Sequence, residues 1–326
     1  DAAERDAREA LRLLRGAAVA TTATGQSLLA HCRPLAAQAT LRRGDAEAAL
    51  AELVALREQA LDVDATVLSY FEQAHHYAQN FRLADAQLLL RQLADQFPDH
   101  PNAPAALLEA AMMADQQALE RTQQEALDIL SAFLERYPQH PLAFQVLKLQ
   151  GDISRKLNRF DRALGHYDEM VARFQGTEQP VYLAHLGAAS CLMAQATRRP
   201  ERIDLAVTRL DRVLSDPDAP IDAQAEAGYL LGSLYARQES GSRAREVFWQ
   251  MAQRFLLESS NAAHLGARGR YWVSRTLADL AEAQTSAGQP REAIATYRLI
   301  ETHRLPGSRL AAARINRLEA GRPNGG

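Results

Sequence analysis

Cysteine is nearly absent. Cys32 and Cys191 are the only two in 326 residues, far apart and with no Cys-x-x-Cys spacing, so neither a disulfide framework nor a thiolate zinc site is written into the chain. Lysine is as scarce: of 37 basic residues only Lys148 and Lys156 are lysines, an arginine bias that fits GC-rich coding alongside the abundant alanine and is not a nucleic-acid signature. Aromatics make up 6% and do not interleave with the arginines as base stacking requires, so no nucleic-acid partner is expected. No run approaches the roughly 18 consecutive apolar residues of a membrane helix. Also missing are a phosphate loop, a Gly-x-Ser-x-Gly elbow, a His-Glu-x-x-His helix and a calcium loop, so no enzyme, cofactor or metal function is expected. With 47% hydrophobic residues, 24% charged and a net charge of −3, an ordered protein remains.

What is present is helix, repeated. Apolar residues recur at three and four spacing, and no long stretch alternates with period two. Segments Asp85 to Phe97, Gln124 to Tyr137, Asp161 to Phe174 and Ser242 to Phe255 share one form: an early alanine, a large apolar residue four later and an aromatic near the end. Two of them stop at nearly the same phrase, Phe97-Pro98-Asp99-His100-Pro101 and Tyr137-Pro138-Gln139-His140-Pro141, because proline cannot continue a helix. The small residue of each such helix falls at Ala49, Ala86, Ala126, Ala163, Ala206, Ala244 and Ala293, at intervals of 37, 40, 37, 43, 38 and 49. A second small residue precedes several of these by twelve: Ala37, Ala74, Gly151, Gly232 and Ala281. Two small residues let paired helices approach closely.

With these residues in place the chain resembles a bacterial tetratricopeptide repeat (TPR) protein, a family of helix-turn-helix units. The second unit carries Tyr70, Ala74, Tyr77, Ala86, Leu90, Leu93 and Pro98 at the family's positions and departs at Gln73, where leucine is usual. The sixth offers Leu231, Gly232, Tyr235, Ala244, Phe248 and Met251, and the fourth Gly151, Phe160, Ala163, Tyr167 and Met170. The resemblance implies an all-α, TPR-type solenoid, a right-handed superhelix of about sixteen helices forming one continuous domain over 1–326. Residues 1–27 would be the second helix of a truncated preceding repeat, 28–305 about seven repeats, and 306–326 a capping helix with a frayed tail from Arg322. Departures are expected in the third unit, with extra residues from Leu119 to Thr122, and in the fifth, with a long turn from Gln195 to Arg202. Between Phe255 and Leu277 the pattern favours a first helix lengthened back to about Ala262 over another short element.

Candidate chemistry is sparse. His75 and His76 point about 100° apart on a helix and do not face one ion together. His100 and His140 recur at one place in the turn, which favours a turn or helix-start role. Gly266-Ala267-Arg268-Gly269-Arg270 would suit a phosphate or, more simply, a helix start or bend. From Arg237 onward there are 14 Arg against 8 acidic residues, net +6, leaving −9 for the rest. That asymmetry suits an acidic partner or a solvated face.

The resemblance also implies where a partner lies, because the first helix of each TPR unit lines the concave side. The groove would show Phe71 and His75, then Leu108, Met112 and Asp115, then Lys148, Asp152 and Arg155, then His185, Tyr229 and Ser233, and finally Glu282. Phe71 and Tyr229 equally suit the core, and Lys148 with Asp152 equally forms a surface pair. The family's carboxylate clamp, which holds the tail of chaperones, is not assembled: Pro34 and Gln38, Phe71 and His75, and Lys148 with Asp152 occupy its places. The expected function is a non-catalytic scaffold for a peptide segment or protein partner, identity open. The phrase Tyr137 to Ala143 is similar to repeats of outer-membrane assembly lipoproteins and periplasmic envelope-coordinating proteins, pointing toward the cell envelope rather than the cytoplasm. The alternative is a structural segment of a longer solenoid, acting in self-association or as the docking or sensing part of a larger protein. The oligomeric state is not legible.

Overall fold

The computed structural model describes residues 9, 12–13, 23–42, 44–59, 62–238 and 241–320, and every regular element among them is helical. No described helix is long and apolar enough to cross a membrane. The chain divides into two compact units, Asp1–Leu157 and Asn158–Gly326. The helix expected over 1–27 lies outside the described residues except at Glu9, Arg12 and Leu13, where Arg12 pairs with Glu9 at 2.6 Å, and at 23–27, which belong to the first described helix. The frayed tail from Arg322 also lies outside them.

The first unit holds α1 (Ala23–Arg42), α2 (Ala46–Gln59), α3 (Val63–Gln79), α4 (Leu83–Gln96), α5 (Ala103–Gln116), α6 (Glu120–Arg136) and α7 (Ala143–Lys156). Each packs on its neighbours in sequence, and α1 also lies against α3, so odd helices form one layer and even helices another. The spacing dictates it: α4 buries Ala86, Leu90, Leu93 and Ala94, one stripe of a 3.6-residue period, and α6 buries Ala126, Leu130 and Phe133 in the same pattern. Ala37, Ala49, Ala74, Ala86 and Ala126 are all at most 3% exposed, which fixes the repeat register. α1 starts at Ala23, inside the stretch assigned above to the preceding repeat, and carries Pro34 in its interior. The extra residues of the third repeat do not lengthen its turn. They add a first turn to α6, which begins at Glu120.

The turns explain two oddities of the sequence. Phe97 N–H donates to Leu93 O and Tyr137 N–H to Phe133 O; His100 and His140 N–H then bond Phe97 O and Tyr137 O, each at 3.1 Å. Each imidazole turns its Nδ1 to the start of the next helix, accepting from Asn102 N–H (3.1 Å) and Leu142 N–H (3.2 Å). The histidines are therefore helix-start acceptors, satisfying donors that a helix leaves unpaired. Tyr137 adds a hydroxyl bond to Pro98 O at 2.6 Å, tying one turn to the one before. Gln73, the departure from leucine, is buried yet satisfied: it accepts from Arg57 and donates to the Tyr77 hydroxyl at 2.8 Å.

The second unit holds α8 (Phe160–Phe174), α9 (Tyr182–Gln195), α10 (Arg202–Ser215), α11 (Ile221–Arg237), α12 (Gly241–Ala252), α13 (Ser259–Ala262), α14 (Ala267–Ser286), α15 (Pro290–Thr302) and α16 (Ser308–Ala320). α9, α11, α14 and α16 take the first-helix places, with α8, α10, α12 and α15 between them. Its close approaches use glycine under a large side chain. A Cβ on Gly232 would stand 2.3 Å from the Phe248 ring, on Gly187 2.4 Å from the Tyr167 ring, and on Gly228 2.4 Å from the Met251 sulfur. Phe248 and Tyr167 are each 1% exposed, so neither ring has room to retreat.

The long turn of the fifth repeat is present between Gln195 and Arg202. The favoured lengthening of the next first helix is not: α13 is a separate short element and α14 starts at Ala267. Before it, Gln253–Leu257 winds as a π turn, with Glu258 N–H bonding Gln253 O at 3.0 Å. That widening buries Phe255 and Leu256 together and sends Arg254 to Leu214 O (3.0 Å) and Gln224 (2.6 Å). The Gly266 to Arg270 stretch is a helix start already supplied with an anion. Gly266 N–H donates to Asp222 Oδ1 at 2.8 Å, Arg268 pairs with Glu226, and Arg270 donates to the carbonyls of His303 and Arg304. The phosphate reading is thereby removed.

Candidate functional site

In the first unit the predicted residues fall on a strip running across α3, α5 and α7. His75 bonds Glu109 at 2.7 Å, linking α3 to α5, and that bond raises the imidazole's pKa. Phe71, one turn earlier, sets its ring 5.8 Å from the His75 ring and is half-buried. Asp115 is linked to α7 by Lys156 Nζ at 2.6 Å. On α7 itself Asp152 lies between Lys148 (2.6 Å) and Arg155 (3.7 Å). A further rung extends to α1, where Gln38 donates to Glu72 at 3.1 Å; burial raises the Glu72 pKa. Leu108 is buried in the core and Met112 is exposed. The strip is polar and internally compensated: His75 and Asp115 are met from the neighbouring odd helix, and Asp152 by Lys148 and Arg155 on its own helix.

The second unit builds a different face. Tyr229 on α11 stacks between Phe248 (centroids 6.3 Å) and Trp272 (5.1 Å), so its ring belongs partly to the core. Its hydroxyl reaches the face and accepts from Arg275 on α14 at 3.2 Å. Ser233, one turn on, is half-buried and its hydroxyl has no hydrogen-bond partner. Glu282 at the other end of α14 pairs with Arg314 of α16 at 3.4 Å. Between these rungs opens a cavity of about 180 Å³ lined by Tyr271, Ala278, Tyr297, Ile300, Pro306 and Leu310, with Arg275, Glu282 and Arg314 at its polar edge. Tyr271 is 47% and Leu310 65% exposed, so the opening of the cavity is apolar.

His185 does not join this face. It turns toward α8 and α10, where Arg209 Nη1 lies 3.3 Å from its Nδ1 and Arg209 also holds Asp168. Burial, with Arg209 and Arg212 adding to it, depresses its pKa to about 4. Glu109, Lys156, Tyr271, Arg275 and Arg314 were missed from sequence. Glu109 and Lys156 stand within about one turn of a predicted position, whereas Tyr271, Arg275 and Arg314 do not, and the offset between successive helices, which one helix's periodicity does not contain, decides which residue meets which.

No protein-family model matches the sequence, and no curated protein does. Similar solved structures exist. PilW, a widely conserved type IV pilus biogenesis factor, is 15% identical with a TM-score of 0.49, covering 78% of this chain and 98% of its own. PilF of Pseudomonas aeruginosa is 15% identical with a TM-score of 0.45, covering 80% and 99%. A tetratricopeptide repeat protein of Parabacteroides merdae is 13% identical with a TM-score of 0.39, covering 78% and 98%. Such likeness concerns fold alone, and the stronger ground is internal: seven buried alanines at the repeat interval, with helices alternating between two layers in each unit. Each unit is an all-α array of paired helices in TPR-like repeats.

Proposed function

We propose that the chain is a non-catalytic protein-interaction scaffold whose first-helix faces receive a partner segment, with the main seat in the second unit. The observation that carries this is the cavity between α14, α15 and α16, apolar within and edged by Arg275, Glu282 and Arg314. Its chemistry suits one apolar side chain of an extended segment, with an acidic neighbour drawn to the guanidinium groups; the excess of arginine from Arg237 onward points the same way. The compensated strip of Phe71, His75, Asp115, Lys148, Asp152 and Arg155 serves as a second, polar contact. A cell-envelope setting has the Tyr137 to Ala143 phrase behind it.

The test is affinity capture from native extract with mass spectrometry, using the full chain, a Tyr271→Ala, Arg314→Glu variant and a Lys148→Glu, Arg155→Glu variant. A partner lost with the first variant alone supports the seat. Loss with the second alone moves it to the strip, and retention by both overturns groove binding. Solution mass of the unmodified chain checks the competing reading, since a strict monomer at all concentrations argues against self-association.

A further inference from the structure

Two histidines and two aspartates from three parts of the first unit converge where α3 begins. Asp62 is the N-cap of α3, and its Oδ1 accepts the Ala65 N–H at 3.0 Å. That bond turns Oδ2 toward α1, where His31 Nδ1 stands 3.7 Å away. Asp64, two residues on, adds a carboxylate, and one ligand atom from each of His31, Asp62 and Asp64 lies within 4.8 Å of the other two. Asp64 is itself anchored: His100 Nε2 donates to its Oδ1 at 2.9 Å. The tautomer is fixed by the turn, since His100 Nδ1 accepts the Asn102 N–H and the proton must sit on Nε2. His100 is thus a hydrogen-bond support behind the carboxylate rather than a ligand.

We propose that His31, Asp62 and Asp64 bind a divalent transition cation, with Zn2+ as the best fit. One imidazole and two carboxylates form a nitrogen-oxygen donor set that Zn2+ accepts, at bonds of about 2.0–2.2 Å that place ligand atoms some 3.3–3.5 Å apart. The 3.7 Å separation of His31 and Asp62 is already close to that, and the Asp64 carboxylate, within 4.8 Å of both, lies a short side-chain adjustment from it. The outer support from His100 matches what metal ligands ordinarily need to hold their orientation. The arrangement is not a by-product of the repeat. His140 makes the same turn as His100, but at the start of α5 the places of Asp62 and Asp64 are taken by Asn102 and Pro104. Three protein ligands leave an outward position for water or a donor from a partner.

Isothermal titration of the full chain with ZnCl2, and with MgCl2 for comparison, tests this. One Zn2+ per chain is expected, with Mg2+ at least tenfold weaker. Asp62→Asn retains an N-cap residue of equal quality, so folding is not at stake, and it should weaken Zn2+ at least tenfold, as should His31→Ala. His264→Ala, on the second unit, should leave binding unchanged. Co2+ substitution should give a visible d–d band that His31→Ala abolishes. Absence of Zn2+ binding by the unmodified chain, or equal binding by Asp62→Asn and His31→Ala, overturns the site; loss in His264→Ala instead transfers the metal to another histidine and equally overturns it.

Discussion

The two units solve one packing problem with different residues. In the first, facing helices meet through alanine, as at Ala37 and Ala49 or Ala74 and Ala86, and large side chains stand beside the contact. In the second, beside the buried Ala281 and Ala293, glycine also meets an aromatic ring head on: Gly232 under Phe248 and Gly187 under Tyr167. The alanine solution is tolerant, because neither partner is large. The glycine solution has no slack, since one added methyl already overlaps the ring. The exposed faces differ likewise, with crossed ion pairs in the first unit and a tyrosine-lined cavity in the second.

The largest test of that difference is Gly232→Leu. It should cost about 3 kcal/mol or more, seen as a lowered denaturation midpoint, because Phe248 cannot withdraw. Adding Phe248→Leu should restore part of the loss, which a merely local helix effect would not allow. Next, Gly187→Ala should cost about 1–3 kcal/mol through Tyr167 despite its better helix propensity. Equal melting of Gly187→Ala and the unmodified chain would break the comparison.

The histidines sharpen it, since His185 of the second unit and His75 of the first are shifted in opposite directions. His185 has a folded pKa of about 4 against an ordinary 6.5, so the unfolded chain holds more protons between those values. Its contribution is complete above 6.5 and is lost as pH falls toward 4; His185→Gln should flatten the acid slope of melting temperature. His75, raised by Glu109, contributes fully below 6.5 and loses that stabilisation as pH rises through its elevated folded value. Glu109→Gln should remove the alkaline-side slope. Smaller still, Phe81 sits in the turn between α3 and α4 at φ 59° and is 90% exposed; Phe81→Gly should raise stability by about 0.5–1 kcal/mol by relieving left-handed backbone strain. Least of all, Lys156→Gln should change stability by about 0.5 kcal/mol or less, since its pair with Asp115 is partly solvated.

The helix positions were readable because an alanine at a fixed interval has one strong physical meaning, close approach, and each one predicted proved buried. The turn role of His100 and His140 was readable for the same reason, as repetition at a structural spacing. What the pattern hid depended on geometry between helices. His185 holds a groove position by count, yet Arg209 on the neighbouring helix accounts for its direction. The π turn at Gln253–Leu257 inserts a residue without interrupting the apolar spacing, so the pattern favoured a lengthened helix over the separate short element that α13 is. Glu109, Arg275 and Arg314 look like ordinary solvated charges until their cross-helix partners are placed.

The Tyr137 hydroxyl on the Pro98 carbonyl gives the repeats an order as well as a spacing. Phe97 occupies the matching place one repeat earlier and has no hydroxyl to offer backward, so the bond runs in one direction from the third repeat to the second. Exchanging those two repeats, although their cores would accept each other, would leave the phenol facing the wrong neighbour and the carbonyl without its donor. Sequence identity between units is therefore a poor guide to whether they are interchangeable: this array has a reading direction, and a single oxygen atom helps to enforce it.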